Sequence, residues 1–221
     1  MVTLNVNNQS YRVQKELLLK SSEWFEKALS DRFKEGKDLV LRFPGTPTKV
    51  IEYFLFWLFH DADPFSEHPV LGIAINMASH QLLAVQIWSF ADEHLISGLR
   101  NIALAYLQHS ALLVPMEQSV RRKAIACSSP DSGLHKWMVS QVAECMAGND
   151  DRKAAQVLEE LDDLPGFSAE VARELGRSLW AKNSHAPGSW GGQSQGKEGW
   201  VDHSHNQGGW VSQSQVQGAW W

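Results

Sequence analysis

Hydrophobic and polar residues alternate over the first part of the chain in the pattern typical of β-strands. Apolar side chains occupy every second position across residues 2–6 and again across 11–13, while the polar residues 7–10 favour a turn between the two runs. Alternation with period two places the apolar side chains on one face of a sheet, so the two runs predict a β-hairpin. A further alternating run at residues 39–43 predicts a third strand.

After the first two strands, the apolar positions follow the spacing of amphipathic helices. Ser21 is expected to cap a short helix whose buried stripe includes Trp24 and Phe25, because a serine side chain can accept an unpaired amide hydrogen at a helix start. The Thr-Pro pair at 46–47 is expected to supply the cap and the first position of the next helix. That helix, over 49–59, is apolar around most of its circumference, which indicates a position in the centre of the core.

Helical periodicity dominates the rest of the chain up to residue 180. The Asp-Ala-Asp-Pro sequence at 61–64 is expected to end the preceding helix, and the run at 69–73 is compatible with either a strand or a packed loop. Ser168 is expected to cap the last helix. The apolar stripes that we expect to face the core are Leu83, Ile87, Phe90 and Ala91; Leu95, Leu99, Ile102, Ala103, Tyr106 and Leu107; Leu134, Trp137, Met138 and Val142; Ala154, Val157, Leu158 and Leu161; and Val171, Leu175 and Leu179.

Composition and charge narrow the classes of function. Hydrophobic residues make up 43% of the 221 residues, so most of the chain can bury a core. The formal net charge of −5 argues against nucleic acid as the partner, because phosphate binding needs clustered Lys and Arg. The densest apolar run, 53–59, is far shorter than the about 20 residues that cross a bilayer, and the N-terminus lacks a secretory signal. We therefore expect no membrane partner and an intracellular location, in the cytoplasm or the nucleus.

The composition changes sharply near residue 181. Residues 181–221 contain five of the ten Trp and eight of the sixteen Gly, with no Leu, Ile or Phe. A segment of this composition cannot build a core, so we predict that residues 182–221 are disordered. Four of these tryptophans recur every ten positions, as Trp190, Trp200, Trp210 and Trp220.

Tryptophans on a flexible chain can insert into the pockets of a partner as aromatic anchors. The spaced Trp and Gly residues resemble the glycine–tryptophan repeats by which some proteins bind Argonaute, and that resemblance implies that the four Trp are partner-binding residues. Two other interpretations stay open: a duplicated decapeptide without a partner, and self-association of the tail through its aromatic residues.

Five motifs in the first half of the chain occur in the order found in BTB/POZ domains. The matching segments are the strand at 2–6 with Tyr-Arg-Val-Gln-Lys-Glu-Leu-Leu at 11–18, Ser-Ser-Glu-Trp-Phe at 21–25, Phe-Lys-Glu-Gly at 33–36, the helix at 50–59 with its Trp-Leu-Phe end, and Phe-Ala-Asp-Glu-His-Leu-Ile at 90–96. On these segments, residues 2–109 resemble a BTB/POZ domain, although Gln14 stands where the family has a histidine. Residues 111–147 resemble the helical extension of fungal BTB proteins.

The resemblance implies an α+β fold in which a BTB/POZ-like small sheet packs on a helical cluster at residues 1–109. A helical extension at 110–181 and the disordered tail at 182–221 follow. BTB domains are protein-interaction modules that bind other proteins, self-associate, or in some families dock onto a cullin of a ubiquitin ligase. The chain begins at the first core strand, which argues against a strand-swapped dimer and leaves dimerisation through helix faces open.

In cullin-binding adaptors of this family the contact uses a hydrophobic-x-acidic triplet, which falls here on Phe33 and Glu35. The resemblance implies that an exposed Phe33 fills a pocket of the partner, worth roughly 2–3 kcal/mol, while Glu35 orients the contact. The alternative is that Phe33 packs beneath its own loop and that Glu35 is simply solvated.

No sequence motif indicates catalysis. The chain has no Gly-rich phosphate loop, no GxSxG and no zinc-ligand spacing of histidines. The His-Asp-Ala-Asp sequence at 60–63 fits a helix C-terminus, where a cationic His is favourable, better than it fits a metal site. Cys127 with His135 could form a nucleophile and base, but a buried structural cysteine is the commoner role. We therefore expect no enzyme activity, no cofactor and no catalytic or metal site.

Overall fold

Among the residues that the computed structural model describes, three strands form one small sheet. The described residues are 1–67, 77–148, 155–157, 159, 161, 164 and 166–184. Strand β1 (Val2–Val6) lies between β2 (Gln9–Val13), to which it is antiparallel, and β3 (Val40–Arg42), to which it is parallel. The hairpin and the third strand predicted from alternation are therefore confirmed.

The hairpin turn is tighter than the sequence pattern predicted. Val6 pairs with Gln9, so the loop contains only Asn7 and Asn8, while Gln9 and Ser10 belong to β2. Asn7 has a φ of 49°, in the left-handed region that two-residue hairpin turns require and that asparagine tolerates.

Helices make up most of the remaining described chain. They are α1 (Lys15–Ser21), α2 (Glu23–Ala28), α3 (Lys34–Asp38), α4 (Thr48–His60), α5 (Pro64–Glu67), α6 (Met77–Glu93), α7 (Ser97–Leu113), α8 (Gln118–Ala126), α9 (Gly133–Ala147) and α10 (Phe167–Ser184). The fold is mixed α+β, with a small sheet on a helical cluster, as predicted.

Helix α4 lies in the centre of the core, as its apolar circumference predicted. Val50, Ile51 and Phe54 are fully buried, and the ring of Phe54 stacks on that of Phe25 from α2, with 5.7 Å between the ring centroids. Because each large apolar side chain contributes roughly 1.5–3 kcal/mol when it is buried, α4 is a main source of the stability of the fold.

The start of α4 differs from the prediction. Thr46 does not cap it, and Pro47 is the N-cap residue, with an extended ψ of 137° and no side-chain cap hydrogen bond. The Pro47 carbonyl accepts from the amide of Val50 at 3.0 Å. The helix ends at His60, before Asp61 in the left-handed conformation, which agrees with the predicted stop.

The cap of α2 is also displaced by one residue. Ser21 is the last residue of α1, and its hydroxyl donates to the Leu18 carbonyl at 2.7 Å. Ser22 is the N-cap residue instead: its Oγ accepts from the amide of Trp24 at 2.9 Å and donates to the carbonyl of His94. The prediction was wrong because the sequence pattern did not reveal α1, which occupies the preceding residues.

Two further helix boundaries correct the predictions. Leu95 was expected on a helical stripe, but it lies in the turn between α6 and α7, with a φ of 55°, and it is 51% exposed. The rest of that stripe packs on the core, with Leu99 and Leu107 fully buried. Ser168 does not cap the last helix, because α10 begins at the buried Phe167.

The helices after α7 belong to the same compact unit, which comprises residues 1–184. Helix α8 packs on α6, and α9 packs on both α8 and α10. Their predicted stripes supply buried residues, among them Leu134, Met138, Val142 and Val171. The predictions for 69–73, Ala154, Leu158 and the side chain of Leu179 fall outside the described residues.

Candidate protein-binding groove

A groove opens between α2, the start of α3, and β3. It has a volume of about 370 Å³ and is lined by Trp24, Lys27, Ala28, Phe33, Glu35, Leu41 and Arg42. We call it the Phe33 groove. Both residues that the sequence singled out in this half of the chain, Phe33 and Glu35, therefore lie on one surface.

Phe33 stands out from the protein surface. It is 53% exposed, and Glu35 is exposed as well. The alternative in which Phe33 packs beneath its own loop is therefore wrong, whereas the solvated Glu35 fits either interpretation. An exposed aromatic ring beside a groove is the kind of side chain that anchors protein interfaces.

The close approach of α3 to the end of α2 positions Phe33. The amide of Phe33 donates to the Ser30 carbonyl at 3.2 Å, and Phe33 is the N-cap residue of α3. Gly36 lies so close to the same carbonyl that a Cβ atom at this position would sit 2.0 Å from the Ser30 oxygen. Only glycine allows this approach, so Gly36 determines where the Phe33 side of the groove lies.

Trp24 connects the lining of the groove to the aromatic side chains of the core. The Trp24 ring meets Phe25 edge to face at 5.1 Å and His94 at 4.5 Å between centroids. His94 is buried, its Nδ1 donates to the Phe90 carbonyl at 2.7 Å, and burial lowers the pKa of its imidazole. Because a neutral ring packs among aromatic side chains without a desolvated charge, this network can hold Trp24 in a defined position.

Charged side chains line the rim. Lys27 forms an exposed ion pair with Glu23 at 3.6 Å, which is worth little in water. Arg42, on β3, has no carboxylate within ion-pair distance among the described residues. The groove therefore combines the ring of Trp24 and the carboxylate of Glu35 with a guanidinium that has no ion-pair partner among the described residues.

Sequence reasoning found two residues of this groove and missed the others. Trp24 was assigned to a buried stripe, although it is only half-buried, and Leu41 was assigned to a strand. The available signal was the polar Arg42 beside the apolar Leu41. That pattern does not show that β3 and α2 line the same groove, because the tertiary packing of the two elements determines their relative position.

The second candidate pair, Cys127 with His135, does not form a hydrogen bond among the described contacts; each side chain has other partners. Cys127 is half-buried, its Sγ lies 3.5 Å from the Ala124 carbonyl, and burial raises the pKa of its thiol. His135 instead contacts Ser128 Oγ through Nδ1 at 3.3 Å and Glu170 Oε2 through Nε2 at 2.8 Å. The structural role expected for Cys127 is consistent with these contacts.

The series Ser128, His135 and Glu170 has the connectivity of a hydrolytic triad, but its other contacts indicate a structural joint. The Ser128 hydroxyl donates to the Ile125 carbonyl at 3.1 Å, just after the end of α8. Ser128 is not among the residues that line the groove beside His135 and Glu170, whereas a nucleophile must be open to its substrate. The imidazole connects the end of α8 and α9 to α10.

The residues at 60–63 also have structural contacts. His60 Nδ1 lies 2.9 Å from the Phe56 carbonyl, and Asp63 Oδ1 accepts from the amide of Phe65 at 2.8 Å. Within the described ranges, no group of three or more His, Cys, Asp or Glu could hold a metal ion. In the same part of the chain, no helix has the length and apolar character needed to cross a membrane.

The four spaced tryptophans, Trp190, Trp200, Trp210 and Trp220, lie outside the described residues. Their role as Argonaute-binding anchors stays a prediction. A pull-down with Argonaute tests it, since changing Trp200 and Trp210 to alanine should reduce recovery of the chain, and unchanged recovery would rule out this role.

Comparison with known proteins does not assign the chain to a family. No family model matches it, and no curated protein matches it.

Proposed function

We propose that the protein is a non-catalytic protein–protein interaction module of the BTB type, a scaffold or adaptor that binds its partner through the Phe33 groove. The observation that carries this proposal is the half-exposed Phe33 in the lining of a groove that also contains Trp24. A single exposed apolar residue is ordinary on a protein surface, but an aromatic anchor beside a groove of this size is characteristic of an interface centre.

The order of the elements supports the BTB interpretation. The segments that resemble the family adopt a strand at 2–6, a helix at 23–28, a strand at 40–42 and a helix at 48–60. These are the element types that the resemblance implies at those positions. Phe33 and Glu35 precede the third strand, as the family's hydrophobic-x-acidic triplet does.

The size of the groove limits how much of the affinity it can supply. Truncating a central aromatic anchor commonly costs 2 kcal/mol or more, roughly a thirtyfold loss of affinity. A stable interface buries about 800 Å² on each partner, which is more than one side chain can provide. The partner must therefore also cover the neighbouring surfaces of α2 and α3.

Affinity purification with mass spectrometry on the full chain tests the proposal. The double variant Phe33→Ala, Glu35→Ala should lose the partners that the unchanged chain recovers. The matched control is Phe59→Ala, because Phe59 is 51% exposed but does not line the groove. If all three proteins recover the same partners, the groove is not the binding surface and the proposal fails.

A cullin is the more specific candidate partner, favoured by the exposure of Phe33 and Glu35, which both line the groove. In this case the protein would be a substrate adaptor of a cullin-based ubiquitin ligase. A cullin should then co-purify with the unchanged chain and disappear with the double variant. If no cullin co-purifies with the unchanged chain, the adaptor role is refuted, and the wider proposal depends on the other partners recovered.

A further inference from the structure

The strand β3 contributes Leu41 and Arg42 to the lining of the Phe33 groove, and Val40 precedes them on the same strand. Among the described residues, β3 is the end strand of the sheet and has a strand neighbour on one side only. The amide of Phe43, just after β3, donates to the Asn5 carbonyl of β1 at 2.9 Å. Because backbone groups alternate in direction along a strand, the N–H and C=O groups of Val40 and Arg42 point away from β1, toward the open edge.

We propose that the partner enters the Phe33 groove as an extended segment that hydrogen-bonds to Val40 and Arg42 and becomes a fourth strand of the sheet. This inference rests on the proposed function and adds the mode of binding to it. An open edge presents donors and acceptors already arranged for a new strand, and proteins that bind peptides in this way obtain affinity from the main chain and specificity from side-chain pockets.

The side chains beside the edge define the chemistry of that segment. Leu41 is almost fully buried and lines the groove with Trp24. Arg42 is exposed and has no carboxylate partner among the described residues. Adjacent residues of a strand point to opposite faces. The segment that fits therefore carries an apolar residue next to an acidic one.

Charge favours an acidic segment over a second copy of this chain. Pairing β3 with β3 of another copy would bring two Arg42 side chains onto one short ribbon. The charges of α3, immediately before β3, balance, because Lys34 and Lys37 stand beside Glu35 and Asp38, so the preference comes from Arg42. Like charges that meet at an interface are destabilising, whereas a carboxylate opposite Arg42 is attracted to it.

Selection of random linear peptides by phage display on the full chain supplies the probe. We expect the enriched peptides to place an apolar residue beside Asp or Glu and to lose binding to the Phe33→Ala variant. Arg42→Glu should weaken binding roughly tenfold, and replacing the peptide's acidic residue with Lys should restore it. Two peptides should be made, with N-methyl groups on the odd-numbered or on the even-numbered amides. Because only every second amide of an added strand faces β3, one of the two peptides should lose binding and the other should keep it.

Hydrogen exchange measured by NMR adds a readout at single residues. Peptide binding should slow exchange of the Val40 and Arg42 amides at least tenfold, while the Leu41 amide, which faces β1, should change little. If both N-methylated peptides bind equally well and binding still depends on Phe33, strand addition is overturned and the proposed function stands. If no peptide binds in a Phe33-dependent way, both are overturned. A dimer that forms through β3 would overturn the choice of an acidic partner.

Discussion

Replacing Gly36 with alanine tests how α3 is held against the end of α2. The new Cβ atom would lie 2.0 Å from the Ser30 oxygen, 2.6 Å from the Ser30 carbonyl carbon and 2.8 Å from the Leu29 carbonyl carbon. All three are backbone atoms, so no side chain can rotate away to make room. The start of α3 must therefore move by more than about 1 Å, and Phe33 with it.

Two opposing effects set the magnitude. Overpacking of this kind costs about 3 kcal/mol, the upper end of the usual range, because the backbone must shift. Alanine also favours a helix over glycine by about 1 kcal/mol. The net expectation is a loss of about 2 kcal/mol in the free energy of unfolding, or roughly 4–8 °C in Tm for a unit of this size.

Gly176→Ala is the matched control. Gly176 lies in α10, and a Cβ atom there would have no neighbour within 4 Å, so only the helix preference changes. We expect this variant to gain about 0.5–1 kcal/mol. Urea unfolding followed by circular dichroism measures both variants. A Gly36→Ala protein as stable as the unchanged chain, with its partners retained, would refute the reasoning about the close approach.

Three further predictions concern the packing around the groove and at α10. Burial lowers the pKa of His94 below 6.5, so the unfolded chain binds the proton first. The contribution of His94 to stability should therefore be fully present above pH 6.5 and should decrease as the pH falls toward the folded-state pKa. Urea unfolding above and below pH 6.5 measures this effect. The free energy of unfolding should decrease less in His94→Gln than in the unchanged chain, and an equal decrease would contradict a lowered pKa of His94. Ser22→Ala should cost about 1 kcal/mol through loss of the cap, measurably more than Ser21→Ala, whereas the reverse order would contradict the cap assignment. His135→Leu should cost about 1–3 kcal/mol because it leaves Glu170 without its donor, and hydrogen exchange in α10 should become faster; unchanged exchange would exclude a joint at this position.

Local patterns predicted the type of many elements, because their signal comes from neighbours in the chain. The alternation at 2–6 was sufficient for β1, and the apolar circumference of 49–59 was sufficient for α4. Their boundaries were less predictable. Ser22 is the cap rather than Ser21, and its hydroxyl also bonds to His94, 72 residues away in the chain. Such a contact depends on the tertiary fold and leaves no local pattern.

The candidate site was predictable only in part, for a related reason. Phe33 and Glu35 were found through the resemblance to a family motif, and their exposure makes them available for contact. The groove beside them exists because α2, α3 and β3 converge, and Gly36 allows that convergence. A glycine in a polar stretch is equally typical of a loop. The sequence therefore could not distinguish the close approach of α3 to α2 from a flexible connection.

The two hydrogen bonds of the Ser22 hydroxyl have a kinetic consequence. They attach the first turn of α2 to the turn between α6 and α7, and Trp24 lies in that first turn. Trp24, which lines the Phe33 groove, is thus held in place in the free protein, and a partner that binds there need not wait for this ring to be positioned. Association should then proceed at the ordinary protein–protein rate of about 10⁵–10⁷ M⁻¹ s⁻¹, and differences among variants should appear mainly in how long the complex lasts.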